Sequence, residues 1–402
     1  MAFLDPYRVV DFTDERGLLA GRMLADLGAD VVQVEPPDGS PARRVGPFSH
    51  DGGSLYWDAY AANKRGVTCD LDDVEGRELA LRLCADADFV FESETPGVMA
   101  RRGLAYDDVR RVNPGVVYTS ITPFGSDGPK ASYAASDLIV WASGGPLYAH
   151  RDGDRPPLRI SVPQAYLHAA ADAAGGALIA HHARRRSGTG QHVDVSAMQS
   201  VTQATLSRIL ATAVGDPQGS RLIAKEEQRK LDQSGSGSGT AGTKWKVVDG
   251  YVEMHLALGP AAGRFTNNLF AWIREEGECD ERLAALDWGR VPELVANGQL
   301  GLDELERART VVAEFLARRT KRELIEASLE RKLIAAPILT IGDLAESRQL
   351  EARDFWIELG QRVLPGPFAK VSADAFAFRR PAPRIGEHNA EVFAEVLGVG
   401  IT

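Results

Sequence analysis

Short runs of branched and aromatic residues alternate with helix-length amphipathic stretches through the first half of the chain. Arg8–Asp11 (RVVD) reads as an apolar strand and Leu18–Leu27 as a helix with small and apolar residues interleaved. Ala29–Glu35 (ADVVQVE) reads as a second strand, stopped by Pro36–Pro37. Strand, helix and strand over about 35 residues make a βαβ unit, which implies a parallel sheet. The alternation continues with strand Gly66–Leu71, helix Gly76–Ala85, strand Asp88–Glu92, helix Leu104–Asn113 and strand Val116–Ile121. Helix Ser136–Ser143 follows, with Gly144–Gly145 placed to end it in a left-handed cap. Such regular alternation predicts a doubly wound α/β domain.

Small side chains dominate the next helix, Ala169–Arg186, which leads through a Ser-Gly-Thr-Gly turn into strand His192–Val195. Glycine costs a helix roughly 1 kcal/mol relative to alanine. Gly175–Gly176 therefore points to tight packing, as in a buried core helix, or to a nearby ligand. Beyond Gln199 come helix Ser200–Val214, the charged segment Lys225–Asp232 and Ser234–Gly242 (SGSGSGTAG). The last has the composition of a flexible loop or linker. A turn at Asp249–Gly250 before strand Tyr251–Leu256 marks a hairpin, followed by helices Ala261–Glu275, Leu302–Arg318 and Lys321–Leu329. The organisation expected is a large α/β domain built from both chain ends (1–224 and 331–402), with a small domain inserted at 225–330.

Length and composition narrow the function. The chain has 402 residues, 44% hydrophobic and 25% charged, which suits a soluble protein of two domains. No apolar run reaches the roughly 20 residues of a membrane span, and the N-terminus lacks the pattern of a signal peptide. A cytoplasmic protein is expected, with Cys69, Cys84 and Cys279 as separate reduced thiols. A net charge of −10 argues against nucleic acid as partner, so an anionic ligand would need local basic residues. The first strand–helix turn, Thr13–Gly17, is not G-x-G-x-x-G, which removes the dinucleotide fingerprint. His181 and His182 have no third ligand at metal-binding spacing, and no metal is expected.

The run Arg185–Ser196 (RRSGTGQHVDVS) resembles the R-x-x-T-G-x-G-Q-x-V-D-V-S segment of class III CoA-transferases, a family that includes α-methylacyl-CoA racemases and carnitine-type transferases. Matches recur along nearly the whole chain. The resemblance implies a Rossmann-like large domain whose first turn serves CoA, making Glu15 and Arg16 candidates for binding it. Arg43, after Gly39-Ser40-Pro41-Ala42, stands at the arginine of a G-D-P-x-R motif, and Arg101 at that of P-G-x-x-x-R after Pro96-Gly97. Asn63-Lys64-Arg65 resembles the family's N-x-x-K-R stretch, with Lys64 adding positive charge. Without the resemblance, either arginine would more commonly be a surface ion-pair partner. The Ser-Gly run falls on the family's glycine loop (Gly235, Gly237, Gly239), whose bare backbone can open and close over an active site. Leu333–Thr340 resembles the return strand into the large domain, and Arg384–His388 with Val392–Leu397 the C-terminal tail. Ser93-Glu94-Thr95-Pro96-Gly97 departs from N-F-x-P-G by placing an acid, Glu94, where the family has an aromatic.

The family's nucleophile is an aspartate that attacks the acyl-CoA thioester, giving a mixed anhydride and then an aspartyl-CoA thioester. Counted without gaps back from Gln191, its position falls on Tyr166, and a phenol cannot form that anhydride. The histidine that racemases pair with it falls on Ser136. Substitutes within reach are Asp137, which also suits a helix start, and His168. Asp172, six residues on from Tyr166, should face elsewhere. The resemblance then implies the non-catalytic chain of a two-chain transferase, as in the succinyl-CoA:benzylsuccinate type. Its partners would be acyl-CoA and an organic acid, in an interlocked homodimer or a heteromer with a related catalytic subunit. A stand-alone acyl-CoA enzyme (transferase, racemase or hydrolase) and a CoA-binding regulatory protein remain the alternatives.

Overall fold

The computed structural model describes residues 2–149, 156–160, 162–206, 210, 243–373 and 376–398. Contacts divide the chain into two units, Met1–Leu210 with Leu350–Thr402, and Ala211–Gln349. The first unit holds six parallel strands: β1 (Arg8–Asp11), β2 (Asp30–Glu35), β3 (Arg65–Thr68), β4 (Phe89–Glu92), β5 (Val117–Thr122) and β6 (Gln191–Ser196). Their order is β3-β2-β1-β4-β5-β6, so the sheet reverses direction of winding between β1 and β4. Helices α1 (Leu18–Asp26), α2 (Leu55–Tyr60), α3 (Val74–Ala85), α4 (Val98–Arg101) and α5 (Tyr106–Val112) precede β6. So do α6 (Asp137–Gly144), α7 (Pro146–Ala149) and α8 (Ala165–Ser187), while α9 (Ala197–Gln203) follows it.

Both sheet faces are covered, which is why the strands read as near-continuous apolar runs. Val9, Phe89, Phe91 and Val117 pack with Leu24 of α1 and the alanines of α8. Val10, Val32, Val90 and Tyr118 pack on the other face with Leu83 of α3 and Val109 of α5. The small residues of α8 serve this packing: a Cβ on Gly176 would lie 3.0 Å from Val193 Cγ1 of β6, whereas one on Gly175 would meet open space. Close packing therefore explains one glycine of the pair.

Beneath the β1–α1 turn lies a buried ion pair. Lys64 and Asp11 have side chains of zero exposure and meet at 2.8 Å. Lys64 Nζ also donates to Leu18 O and Gln33 Oε1, both at 2.9 Å, so its three protons are used. Burial pulls the ammonium pKa down while Asp11 opposes the shift. Gly21 makes room for the pair, since a Cβ there would lie 2.0 Å from Asp11 Oδ2. The neighbours of Lys64 are structural as well. Asn63 donates to Asp26 Oδ1 and Ala377 O and accepts from Arg379 N–H. Arg65 pairs with Asp30, Glu391 and Glu395, tying down the terminal helix Asn389–Leu397.

The second unit carries an antiparallel sheet of β7 (Lys244–Val247), β8 (Gly250–Met254) and β9 (Ala335–Ile338). Helices Gly263–Glu275, Leu302–Leu316 and Lys321–Arg331 flank a core that includes Trp245, Phe270, Trp288 and Phe315. The segment expected as a return strand thus completes the smaller sheet, with Tyr251 opposite Ile338 and Met254 opposite Ala335. Leu333 and Ala335 pack on this core, which holds the strand there. The segment Lys225–Asp232 and Gly235, Gly237 and Gly239 lie outside the described residues.

Replacing Lys64 with Met should cost about 3–5 kcal/mol in urea unfolding, because Asp11 stays buried without its cation. Arg44→Ala, which removes an exposed pair with Asp38 at 3.7 Å, should leave the midpoint unchanged. Equal losses in the two variants would contradict this account.

Candidate functional site

Open α/β sheets bind ligands outside the carboxyl ends of their strands, where the winding reverses. In the first unit that edge is formed by the loops after β1 and β4. Asp11 Oδ1 accepts from the N–H and hydroxyl of Thr13, which turns the chain sharply out of β1. Asp14 then takes both Nε and Nη2 of Arg16, at 2.9 and 2.5 Å. Ser93, after β4, accepts from the Asp14 N–H and donates to Asp14 Oδ1, lacing the two loops together. Tyr56 of α2 donates its hydroxyl to Glu15 O at 2.7 Å.

Two further helices reach the same place. Asp137 opens α6, and its Oδ1 accepts from Ala165 N–H at 2.7 Å. That contact caps α8 from another helix, so α8 begins at Ala165 and Tyr166 lies in its first turn, earlier than the sequence pattern indicates. The charges of Arg16, Asp14, Asp137 and Glu15 all act on Tyr166. Burial pushes the Tyr166 phenol up to about 12, with Arg16 opposing. Burial and then Asp14 raise the Glu15 carboxyl. Burial alone would lower Arg16, but Asp14 outweighs it and holds the guanidinium firmly charged. Glu92, at the end of β4 and within the field of Arg16, is pushed up to about 7 by burial.

Of the residues singled out in the sequence, Glu15, Arg16, Asp137 and Tyr166 therefore converge. Others have different employment. Lys64 is the buried strut described above, so it offers no charge to a ligand. Arg43 is held by Glu35 at 2.6 and 2.7 Å and by Pro383 O, and lies 3.8 Å over the Trp57 ring. Arg101 is exposed on α4. The next residue, Arg102, pairs with Glu94 at 2.8 Å and with Asp72, so the acid that departs from the family pattern carries its own cation. His168 is exposed, edge-on to Trp141 at 6.3 Å, and Asp172 is exposed too. His181 is buried against Tyr7 and Phe89, while His182 is exposed.

Sequence reasoning missed Tyr56, Glu92 and Arg102. Glu92 was within reach of it, as an acid closing a strand on the carboxyl edge of a parallel sheet. Tyr56 carried no such signal. Among the described residues no His, Cys, Asp and Glu group could hold a metal, and no helix is long and apolar enough to cross a membrane.

The fold defines an α/β protein with a parallel sheet in Rossmann order, β3-β2-β1-β4-β5-β6. The model of CoA-transferase family III matches residues 4–389, and the chain belongs to that family. It is similar to the succinyl-CoA:(R)-benzylsuccinate CoA-transferase subunit BbsE of Thauera aromatica, with 35% identity over 97% of this chain and 93% of the relative. It is also similar to the succinyl-CoA–D-citramalate CoA-transferase of Chloroflexus aurantiacus, with 29% identity over 98% and 94%. Among solved structures, a CAIB/BAIF family protein from Brucella suis aligns with a TM-score of 0.79 and 26% identity, covering 98% of this chain and 99% of that one.

Two outcomes follow from the electrostatics. Tyr166→Phe removes a hydroxyl that has no partner among the described residues, so the unfolding midpoint should hold or rise, within about 1 kcal/mol. Glu92 has an ordinary value of 4.5 and a folded value of about 7, so the folded state binds the extra proton between them. Stability relative to Glu92→Gln should therefore fall as pH rises through that window and level off above it, measured by urea unfolding at several pH values. A flat difference would refute the assignment.

Proposed function

We propose that this chain is the non-catalytic subunit of a heteromeric CoA-transferase that exchanges CoA between an acyl-CoA and an organic acid. The observation that carries the proposal is Tyr166, half-buried in the first turn of α8 and within the field of Glu15, Arg16 and Asp137. In this reading it stands where the family's aspartate would attack, and its phenol, held neutral by burial, cannot form an acyl anhydride. Asp137 Oδ1 accepts from Ala165 N–H, which gives this acid a capping role at the start of α8.

The similarity to a protein named as a subunit of a benzylsuccinate transferase supports the same reading. The partner chain supplies the aspartate, the two chains interlock, and the reaction needs no metal. Arg16 and Arg101 are the cations of this chain offered to CoA, Arg43 being held by Glu35. The glycine loop is expected to be Ser234–Gly242.

Purification from the native host, with native mass spectrometry, should find the chain in stoichiometric complex with a second chain of the same family. The chain alone should transfer no CoA between succinyl-CoA and organic acids, and adding the partner should restore turnover. Turnover by the isolated chain would overturn the proposal.

A further inference from the structure

Glu92, Ser120 and His192 stand side by side on three neighbouring strands. The parallel register sets Glu92 of β4 opposite Ser120 of β5, and Tyr118, two residues earlier on β5, opposite His192 of β6. Register partners share a face of a sheet, as do residues two apart on a strand, so these side chains point the same way. Ser120 hydrogen-bonds the Glu92 carboxyl on one side and His192 Nε2, at 2.9 Å, on the other. Glu92 and Ser120 are buried, whereas His192 is exposed on the edge strand. Tyr106 of α5 stacks on the imidazole at 5.5 Å and Tyr118 meets it edge-on at 5.8 Å, which holds the ring in line. Tyr118 gives its own hydroxyl proton to Leu104 O at 2.9 Å.

A serine hydroxyl has one proton, and that gives such a chain a direction. With Glu92 ionised, Ser120 donates to the carboxylate, and its oxygen accepts from His192 Nε2–H. With Glu92 protonated, the acid donates to Ser120, and the hydroxyl donates in turn to a bare Nε2. His192 is then the Nδ1–H tautomer. Glu92 Oε2 accepts from Glu94 N–H at 2.7 Å, which leaves the acid proton to the Ser120 side. Other arrangements leave a buried proton without an acceptor or set two lone pairs against each other, and either is costly.

We propose that Glu92, Ser120 and His192 form a proton wire, through which the buried carboxyl exchanges its proton with water at the sheet edge and sets the tautomer of His192. In one passage the Glu92 proton moves to Ser120 Oγ, the hydroxyl proton moves to His192 Nε2, and Nδ1 releases its proton to water. The sum is one proton from carboxyl to water, and each group ends in the pattern of the ionised state. The pH range is that of Glu92, pushed up to about 7 by burial, with Ser120, Glu94 N–H and Arg16 opposing. The Glu94 carboxylate adds to the rise and is itself paired with Arg102. Burial lowers His192 against the pull of Asp194 on β6 and Asp107 on α5, so the imidazole stays neutral through that range. The Tyr118 phenol and the Cys84 thiol, both raised by burial, keep their protons. Ser93, next in the chain, laces this loop to Asp14, so the charge set at Glu92 acts on Arg16 without a proton crossing that edge. The wire is independent of which chain of the enzyme carries the nucleophile.

The test is nuclear magnetic resonance of the imidazole nitrogens in the full chain, made with isotope-labelled histidine, with its partner subunit where one co-purifies. His192→Gln identifies the signals. His192 should be the Nδ1–H tautomer below the Glu92 range and the Nε2–H tautomer above it, with a midpoint of about 7 and no charging of the ring. Glu92→Gln should hold one tautomer at every pH. Ser120→Ala should remove the midpoint from His192 while the titration of Glu92 persists in the pH dependence of urea unfolding. A His192 tautomer that stays constant through the titration in the parent would overturn the proposal. A midpoint that survives in Ser120→Ala, or one at which both ring nitrogens become protonated, would overturn it as well. The parent profile needs no substitution, and decides the case even where a variant does not fold.

Discussion

The ion pair of Lys64 with Asp11 is the constraint on which the first unit depends. Removing two charges completely from water is expensive and is offset only when every proton and lone pair is placed. Lys64 meets that demand by reaching β1, β2 and the start of α1 at once, through Asp11, Gln33 and Leu18 O. The pair thereby fixes the direction in which the chain leaves β1. That direction sets Asp14, Glu15 and Arg16 on the carboxyl edge of the sheet. Gly21 belongs to the same device, since any side chain there would enter the space of the carboxylate. A motif that offers three polar residues in a row, Asn63, Lys64 and Arg65, is in this fold an internal fastening for both ends of the unit.

The doubly wound fold was legible because burial on both sheet faces leaves apolar runs that interruption by polar loops makes easy to count. What was not legible has one physical source: partners far apart in sequence. Asp137 caps α8 across 28 positions, and so the helix begins where no local capping residue announces it. Lys64 finds its carboxylate 53 positions away, and nothing local distinguishes it from a lysine on the surface. Arg43, a candidate for phosphate, is held by Glu35 at the end of β2 and by Pro383 O, 340 positions further on. β9 joined the smaller sheet because Leu333 and Ala335 find a core there, a choice that composition does not encode.

The site itself was partly legible. Glu15, Arg16, Asp137 and Tyr166 were indicated by resemblance, and the fold brings these four together from three separate segments. Tyr56 and Glu92 joined them only through geometry. The small-residue helix α8 makes the convergence possible: its alanines let α1 and the sheet approach closely, which carries Tyr166 to the edge. Had α8 been built from larger apolar residues, that helix would stand further from β5 and β6 and its first turn would not meet the β1 loop.

A neutral residue at position 166 suits the surroundings better than a carboxylate would. Asp14, Glu15 and Asp137 already act on this point, and Arg16 is bound to the first of them. A fourth carboxylate would raise the cost of ionising any of the group, because like charges in a partly buried site disfavour one another. Tyrosine adds a donor without adding charge. Among the described residues Tyr166 Oη, Glu15 Oε2 and Asp137 Oδ2 find no hydrogen-bond partner, a cost in stability that the site carries.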